Sequence, residues 1–405
     1  MAKEEIKHIL IVSHAMEIGG AERALLGLLD CFDYSKYQVD LFLFRHEGEL
    51  FSYINPHVKL LPQDDGYSCL DIPLVKAIRR GQMFVAWGRI LGKFLTKRFV
   101  KKNGLNANNA VAIEYSHKYT KKYLSQINPN EEYDMAISFL TPHYFIIDKV
   151  NAKKKIAWIH SDYSTMQVDK ESELAMWEPY DNIVSISDDV TKAFLSLFPT
   201  LRNKIVLIEN IQPEKFIYEQ VEAFSVEKEM PKEEGVFRLL SVGRFCFPKN
   251  FDNIPQICKI LLELGLNVKW YLIGYGMDED LIRKEIFKYG MENNIFILGK
   301  KENPYPYIKE CDLYVQPSRF EGKAVTVIEA QMLGKPVIIT NYATATSQLE
   351  DGYDGIIVPM GNEGCAKGIA NVLNNPVLMQ ILSCNCNQRD YSNIHEIEKI
   401  YQMMI

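Results

Sequence analysis

No run of about 18 apolar residues occurs anywhere in the 405-residue chain, so no segment is expected to cross a bilayer as a helix. The opening MAKEEIKHILIVSHAMEIGG places charges before a short, interrupted apolar run and reads as neither a signal peptide nor a span. There is no C-x-x-C pair among the eight cysteines, and Cys384 and Cys386 have no histidine set nearby, which argues against a zinc site. Reduced, partly buried thiols in a cytoplasmic protein are expected instead. Excess positive charge is missing too. A formal charge of −6 argues against a nucleic-acid binder. Internal repeats and low-complexity tracts are absent.

One shortage is local. From Ile72 to Ile113 there is no acidic residue, while nine basic ones run from Lys76 to Lys102, interleaved with Phe84, Val85, Trp87, Ile90, Leu91, Phe94, Leu95 and Phe99. Residues 72–102 therefore read as a basic amphipathic insertion, of the composition that rests on an anionic membrane interface. The alternative is a helix that packs its apolar stripe on its own domain and solvates its charges.

What is present is a soluble globular balance of 47% hydrophobic and 24% charged residues in a chain long enough for two cores. HILIVS (8–13), YQVDLFLF (37–44), DMAISFL (134–140), KKIAWIH (154–160) and NIVSIS (182–187) read as buried strands, with a helix at 21–32. The pattern restarts at FRLLSVG (237–243) and continues through a helix near 253–265, NVKWYLIG (267–274), IFILG (295–299), DLYVQPS (312–318) and KPVIIT (335–340). Strands alternating with helices imply parallel sheets covered on both faces. The expected organisation is α/β: an N-terminal Rossmann-like domain over 1–212, a charged linker over 213–235, a C-terminal one over 236–384, and a terminal helix over 385–405.

Four clusters fall where strands give way to loops, the edge at which doubly wound sheets bind ligands. Gly19 and Gly20 precede a helix and would let backbone N–H groups approach a phosphate, or simply form a strand-to-helix turn. This is neither G-x-G-x-x-G nor a Walker loop. Arg244 and Lys249 follow a strand and can converge on one anion, or remain solvated loop charges. In RFEGKAVTVIEAQML, the N–H groups of Ala324, Val325 and Thr326 would open a helix free for a phosphate, with Glu321 at the mouth of the turn. Glu329, one to two turns in, could accept two hydroxyl hydrogen bonds as from a ribose diol. His160 ends a strand beside Ser161 and Asp162. The triplet Asp278-Glu279-Asp280, of a kind that holds cations in metal-dependent sugar transferases, precedes a helix and is read as an N-terminal cap, so no metal is inferred.

The ordered set of GGAE, a strand-end His, Gly243-Arg244 with Lys249, a G-x-G after a strand, and Glu321-x7-Glu329 resembles family 4 of the retaining glycosyltransferases, of GT-B fold. IENI (208–211) stands where that family has an N-G-hydrophobic-D turn. The resemblance implies two Rossmann-like domains facing across a cleft, with the last helix returning to the first. It implies a nucleotide-diphosphate sugar as co-substrate, UDP-sugar favoured over GDP-sugar, with no metal or other cofactor. Arg244 and Lys249 would neutralise the diphosphate, Glu329 would hold the ribose and Glu321 would orient the sugar. His160 would lie beside the sugar and Gly20 would border the phosphates. Lys323-Ala324-Val325 departs from the family's Phe-Gly-x, and IENIQPE lacks its Gly and Asp. The expected acceptor is a lipid-linked saccharide or oligosaccharide in capsule or exopolysaccharide assembly, with the enzyme cytoplasmic or peripheral on the inner membrane face. The rivals are a GT-B nucleotide-sugar epimerase and a non-catalytic glycan- or lipid-binding protein.

Overall fold

The computed structural model describes residues 6–105, 110–164 and 166–404. The first five residues of the N-terminal stretch, positions 106–109 of the acid-free window and the last position of the expected terminal helix lie outside the described residues. The chain forms two compact units, Met1–Gln212 with Asn393–Ile405, and Pro213–Ser392.

The first unit holds β1 (Lys7–Ser13), β2 (Tyr37–Leu43), β3 (Lys59–Leu60), β4 (Tyr133–Ser138), β5 (Ala152–Ile159), β6 (Asn182–Ser185) and β7 (Ile205–Leu207), in the spatial order β3-β2-β1-β4-β5-β6-β7. Every pairing is parallel. The apolar runs at 9–12 and 135–137 lie at its centre, buried on both faces as a covered parallel sheet requires. β3 and β7 span two and three residues, too short to show a period in the sequence. The helix Gly20–Cys31 presses so closely on the chain after β7 that a Cβ at Gly27 would sit 2.2 Å from the carbonyl oxygen of Ile211.

The second unit holds β8 (Phe237–Val242), β9 (Val268–Ile273), β10 (Ile295–Gly299), β11 (Leu313–Gln316), β12 (Val337–Thr340) and β13 (Ile356–Val358), ordered β10-β9-β8-β11-β12-β13 and parallel throughout. Alternate residues feed two cores. Leu239, Leu313 and Val315 join one with the helices Ile254–Glu263 and Asn362–Leu373. Leu240, Val242 and Tyr314 join the other with the helices Tyr305–Glu310 and Val325–Met332.

Two readings of the chain's organisation change. The charged stretch 213–235 is not a free linker: it forms the helix Glu214–Gln220 and buries Ile217, Val221, Val226 and Met230 in the second unit. Ile217 and Val221, four residues apart at the helix and its C-cap, are a helical signal that the surrounding charge obscured. The expected helix over 385–405 is two helices. Pro376–Gln388 closes in the second unit, and Ile397–Met403 belongs to the first, where Tyr401 stacks on Tyr37 at 4.2 Å and accepts the Asp33 N–H at 3.0 Å.

The basic segment is also two helices, Leu74–Arg79 and Met83–Asn103. The longer one runs antiparallel to Val111–Thr120 with its backbone in close approach. A Cβ on Gly88 or Gly92 would lie 2.7 Å from the carbonyl oxygen of Tyr119 or Tyr115, respectively. Arg89 points inward and donates to the carbonyls of Cys69 and Ile72, both at 2.6 Å.

Buried in the same unit, Glu173 accepts hydrogen bonds from Tyr163 Oη and Trp177 Nε1, both at 2.9 Å. Burial pushes its carboxyl up to about 7. The folded chain therefore holds this proton more tightly than the unfolded chain. The contribution to stability is full below the unfolded value of about 4.3 and is lost as pH rises through about 7. Glu173→Gln should raise the melting temperature relative to wild type at about pH 8 and converge with it near pH 4. Melting curves that stay parallel across that range would show that Glu173 carries no such linkage.

Candidate functional site

In the second sheet the strand order reverses at β8, which has β9 on one side and β11 on the other. Ligands of doubly wound sheets bind outside the carboxyl ends at such a reversal. The loops that leave β8 and β11 carry Gly243, Arg244 and Lys249 in one case, Arg319 to Thr326 in the other.

The β8 loop is shaped by its neighbour. Gly243 N–H donates to Ile273 O at 2.9 Å and Phe245 N–H to Tyr275 O at 2.8 Å, so the pairing continues past both strands. Gly274 and Gly276 permit this, because a Cβ on either would fall 1.9 or 2.2 Å from the carbonyl oxygens of Gly243 and Phe245. The chain then turns through Asn250 at φ 62°, whose side-chain amide donates to Pro317 O at 2.8 Å. Arg319 completes the fastening. It forks onto both oxygens of Asp252 at 2.9 and 2.7 Å, donates to Phe247 O at 2.6 Å and lies 4.3 Å over the Phe247 ring.

Between these loops sits the first of the two carboxylates. Oε1 of Glu321 accepts from Lys249 Nζ at 2.6 Å, Ser318 Oγ at 2.6 Å and Gln316 Nε2 at 3.2 Å. The amide of Gln316 is oriented by Tyr314 Oη, which donates to its Oε1 at 3.0 Å. Thr344 Oγ1 donates to the backbone carbonyl of Glu321 at 2.8 Å. The structure thus brings Lys249 and Glu321 together. Arg244, five residues before Lys249 on the same loop, is exposed, and Lys323 is half-buried on the turn.

The helix that follows opens differently from expectation. Ala324 is the residue before its first turn, and its N–H donates to Gln348 Oε1 at 2.6 Å. It is not free for a phosphate. Val325 and Thr326 keep the first two helical N–H groups, which a helix leaves without an intrahelical acceptor. Glu329 is fully buried, and its Oε1 accepts from Tyr305 Oη at 3.0 Å. The two carboxylates share one electrostatic neighbour: burial first, with Glu329 and Glu321 adding to it, raises the Tyr314 phenol far above its ordinary range.

In the first unit, Gly19 caps the helix Gly20–Cys31, but the place read as a phosphate seat holds a carboxylate. A Cβ on Gly19 would lie 2.0 Å from Glu22 Oε2, so the acid folds over the helix N-terminus and itself meets the dipole. His160 follows β5 with its ring 4.5 Å from that of Phe139 and stacked parallel to Trp158 at 6.1 Å. Burial lowers its pKa to about 3, so it is a neutral imidazole near pH 7, with Nε2 unpartnered among the described residues. His14, just past β1, is lowered to about 4, by burial first and then by His117, whose ring lies 5.6 Å away.

Asp278 makes no side-chain cap hydrogen bond, and Glu279 is held by Arg283 at 2.7 Å. Its neighbourhood is that of a helix start, and no cluster suited to a metal ion occurs among the described residues.

Residues 222–389 match the family described as glycosyl transferases, group 1. The fold is GT-B. The matched residues lie within the second unit. Among solved structures of this fold, the chain superimposes on Anabaena Alr3699/HepE in complex with UDP and glucose with a TM-score of 0.67 at 15% identity, over 98% of this chain and 99% of that one. It superimposes equally on a mutant of Staphylococcus aureus TarM in complex with fondaparinux, alpha-GlcNAc-glycerol and UDP, with a TM-score of 0.67 at 14% identity, over 98% and 100%. Among curated relatives, it is 27% identical over 216 residues to the capsular polysaccharide biosynthesis glycosyltransferase CapM of Staphylococcus aureus, spanning 51% of this chain and 56% of that one. It is 26% identical over 175 residues to an uncharacterized glycosyltransferase, MJ1059, of Methanocaldococcus jannaschii, 42% of each. The chain spans about half the length of these relatives.

Gln316 and Ser318 were not singled out in the sequence, although Tyr314, Gln316 and Ser318 alternate and so share one side of the strand end. Asp252, Tyr305 and Gln348 carry no local signal. Exchanging Arg319→Ala and Asp252→Ala singly and together should give a coupling energy of about 1–2 kcal/mol in chemical denaturation. Strict additivity would mean that the fork does not hold the two loops.

Proposed function

We propose that the protein is a retaining, metal-independent glycosyltransferase. It moves a hexose-type sugar from a nucleotide-diphosphate sugar, UDP-sugar before GDP-sugar, to a lipid-linked saccharide in cell-surface polysaccharide assembly. The observation that carries this reading is the Lys249–Glu321 pair at the carboxyl ends of β8 and β11, beside the N-terminus of a helix. A pyrophosphate there meets an ammonium, an exposed guanidinium and the open N–H groups of Val325 and Thr326.

Transfer breaks the bond between the sugar's anomeric carbon and the diphosphate, and forms one from that carbon to an acceptor oxygen. The acceptor's proton passes to the departing phosphate oxygen, as a front-face, retaining attack requires. Negative charge grows on the leaving group, so groups already aimed at it lower the barrier without reorganising. Lys249 and Arg244 supply that charge, and Glu321 keeps Lys249 in place between turnovers. Glu321, on the same turn, is also the acid nearest to the sugar, and Glu329 is assigned to the ribose. His160 and Gly20, in the first unit, are assigned to the sugar and phosphates on resemblance alone. UDP in two structures of the same fold and capsule synthesis among the relatives support the choice of donor and setting.

Arg244→Ala and Lys249→Ala should each reduce turnover roughly a hundredfold or more while the chain still melts cooperatively. UDP should stabilise the wild type in thermal melts, by about 2.7 kcal/mol at a hundred times Kd. GDP should do less. Turnover near the wild-type rate in either variant would overturn the assignment.

A further inference from the structure

The helix Met83–Asn103 buries Val85 and half-buries Leu91, Leu95, Phe99 and Val100, yet leaves five large apolar side chains exposed. Its inward side is a stripe of small residues, Gly88, Gly92 and Thr96, laid against Val111–Thr120. With that space filled by backbone, Phe99 packs at its edge, its ring 6.0 Å from that of Tyr115, while Met83, Phe84, Trp87, Ile90 and Phe94 face outward. Positions 83, 87, 90, 94, 97 and 101 follow one another at steps of four and three, which is one face of a helix. The first four are Met83, Trp87, Ile90 and Phe94, all exposed, with Phe84 alongside at 72% exposure. Farther along the same face come Lys97 and Lys101, flanked by Arg98 and Lys102, also exposed. Val75 and Ile78 on the preceding short helix are exposed as well, among Lys76, Arg79 and Arg80.

We propose that this face, from Val75 to Lys102, docks on the surface of an anionic phospholipid bilayer. Met83, Phe84, Trp87, Ile90 and Phe94 enter the acyl boundary, while the cations lie among the headgroups. Charge decides the occupant. The chain carries −6 overall, yet this face has no carboxylate from Ile72 to Ile113. A second copy of the chain would bring cation against cation with no acid between them, whereas a sheet of lipid phosphates complements the whole face. Arg89 is outside the docking set, since its guanidinium is spent on the carbonyls of Cys69 and Ile72. The inference is independent of the sugar-transfer reading, and its test measures no activity.

The chain provides its own reporter. Of its four tryptophans, Trp158, Trp177 and Trp270 are buried and Trp87 is 59% exposed. Full-length protein mixed with vesicles of equimolar phosphatidylglycerol and phosphatidylcholine should co-sediment with them, and its tryptophan emission should shift to the blue. Trp87→Phe should retain binding and lose the shift. Trp87→Ser with Phe94→Ser should lose binding without a change in melting temperature. Replacing Lys97, Arg98, Lys101 and Lys102 by Gln should weaken partition by about fivefold per charge removed, and raising salt should weaken the wild type in the same direction. Equal binding to pure phosphatidylcholine, or no binding to the anionic vesicles, overturns the proposal. So does a concentration-dependent dimer in sedimentation equilibrium that the Trp87→Ser, Phe94→Ser variant abolishes, because the face would then be an interface between copies.

Discussion

One carboxylate oxygen organises the chemistry-bearing edge of the second unit. Oε1 of Glu321 takes an ammonium, a hydroxyl and an amide at once, from Lys249, Ser318 and Gln316. A half-buried acid and a half-buried lysine would each be costly alone. Joined, they fix the β8 loop to the β11 loop and keep a positive charge waiting at the sheet's ligand-binding edge. Arg319 on Asp252 and Asn250 on Pro317 tie the same loops a few residues away, so the pair does not bear the alignment unaided. In the proposed reaction, preorganisation of this kind would serve a leaving diphosphate, since groups already aimed at it need not reorganise.

The sequence made the strand-rich halves legible because buried parallel strands are nearly continuous apolar runs, as at 8–13 and 237–243. It concealed β3, β7 and β13, whose two or three residues cannot show any period. It also concealed the fate of 213–235, where exposed acids outnumber the four buried apolar residues that decide the packing. Within the site, the contrast is between residue types and partners. Arg244, Lys249, Glu321 and Glu329 stand out as charges in apolar or loop surroundings. The side chains that fasten this edge, Asp252 on Arg319, Tyr305 on Glu329 and Gln348 on the Ala324 N–H, lie many residues from their partners and become neighbours only through the fold. Ala324 and Gly19 show the converse, a partner that the local sequence does not announce. The sequence leaves Gly19 as either a phosphate seat or a plain turn and Ala324 as an open helix start, and a side chain meets each, Glu22 in one case and Gln348 in the other.

The first unit carries a different electrostatic character. Where the second sheet ends in paired charges, this one ends in imidazoles that burial keeps neutral, His14 and His160 among them. Neutral imidazoles can donate and accept hydrogen bonds toward hydroxyl groups but bring no charge to a phosphate.

Tyr305 gives the buried end of the site a further property. Its phenol already occupies an oxygen of Glu329, so a ribose hydroxyl arriving at that atom would replace one O–H donor by another. Such a swap leaves the number of hydrogen bonds unchanged and yields little net affinity. If Glu329 holds the ribose as proposed, the exchange selects, because a nucleoside without that hydroxyl would not displace the phenol.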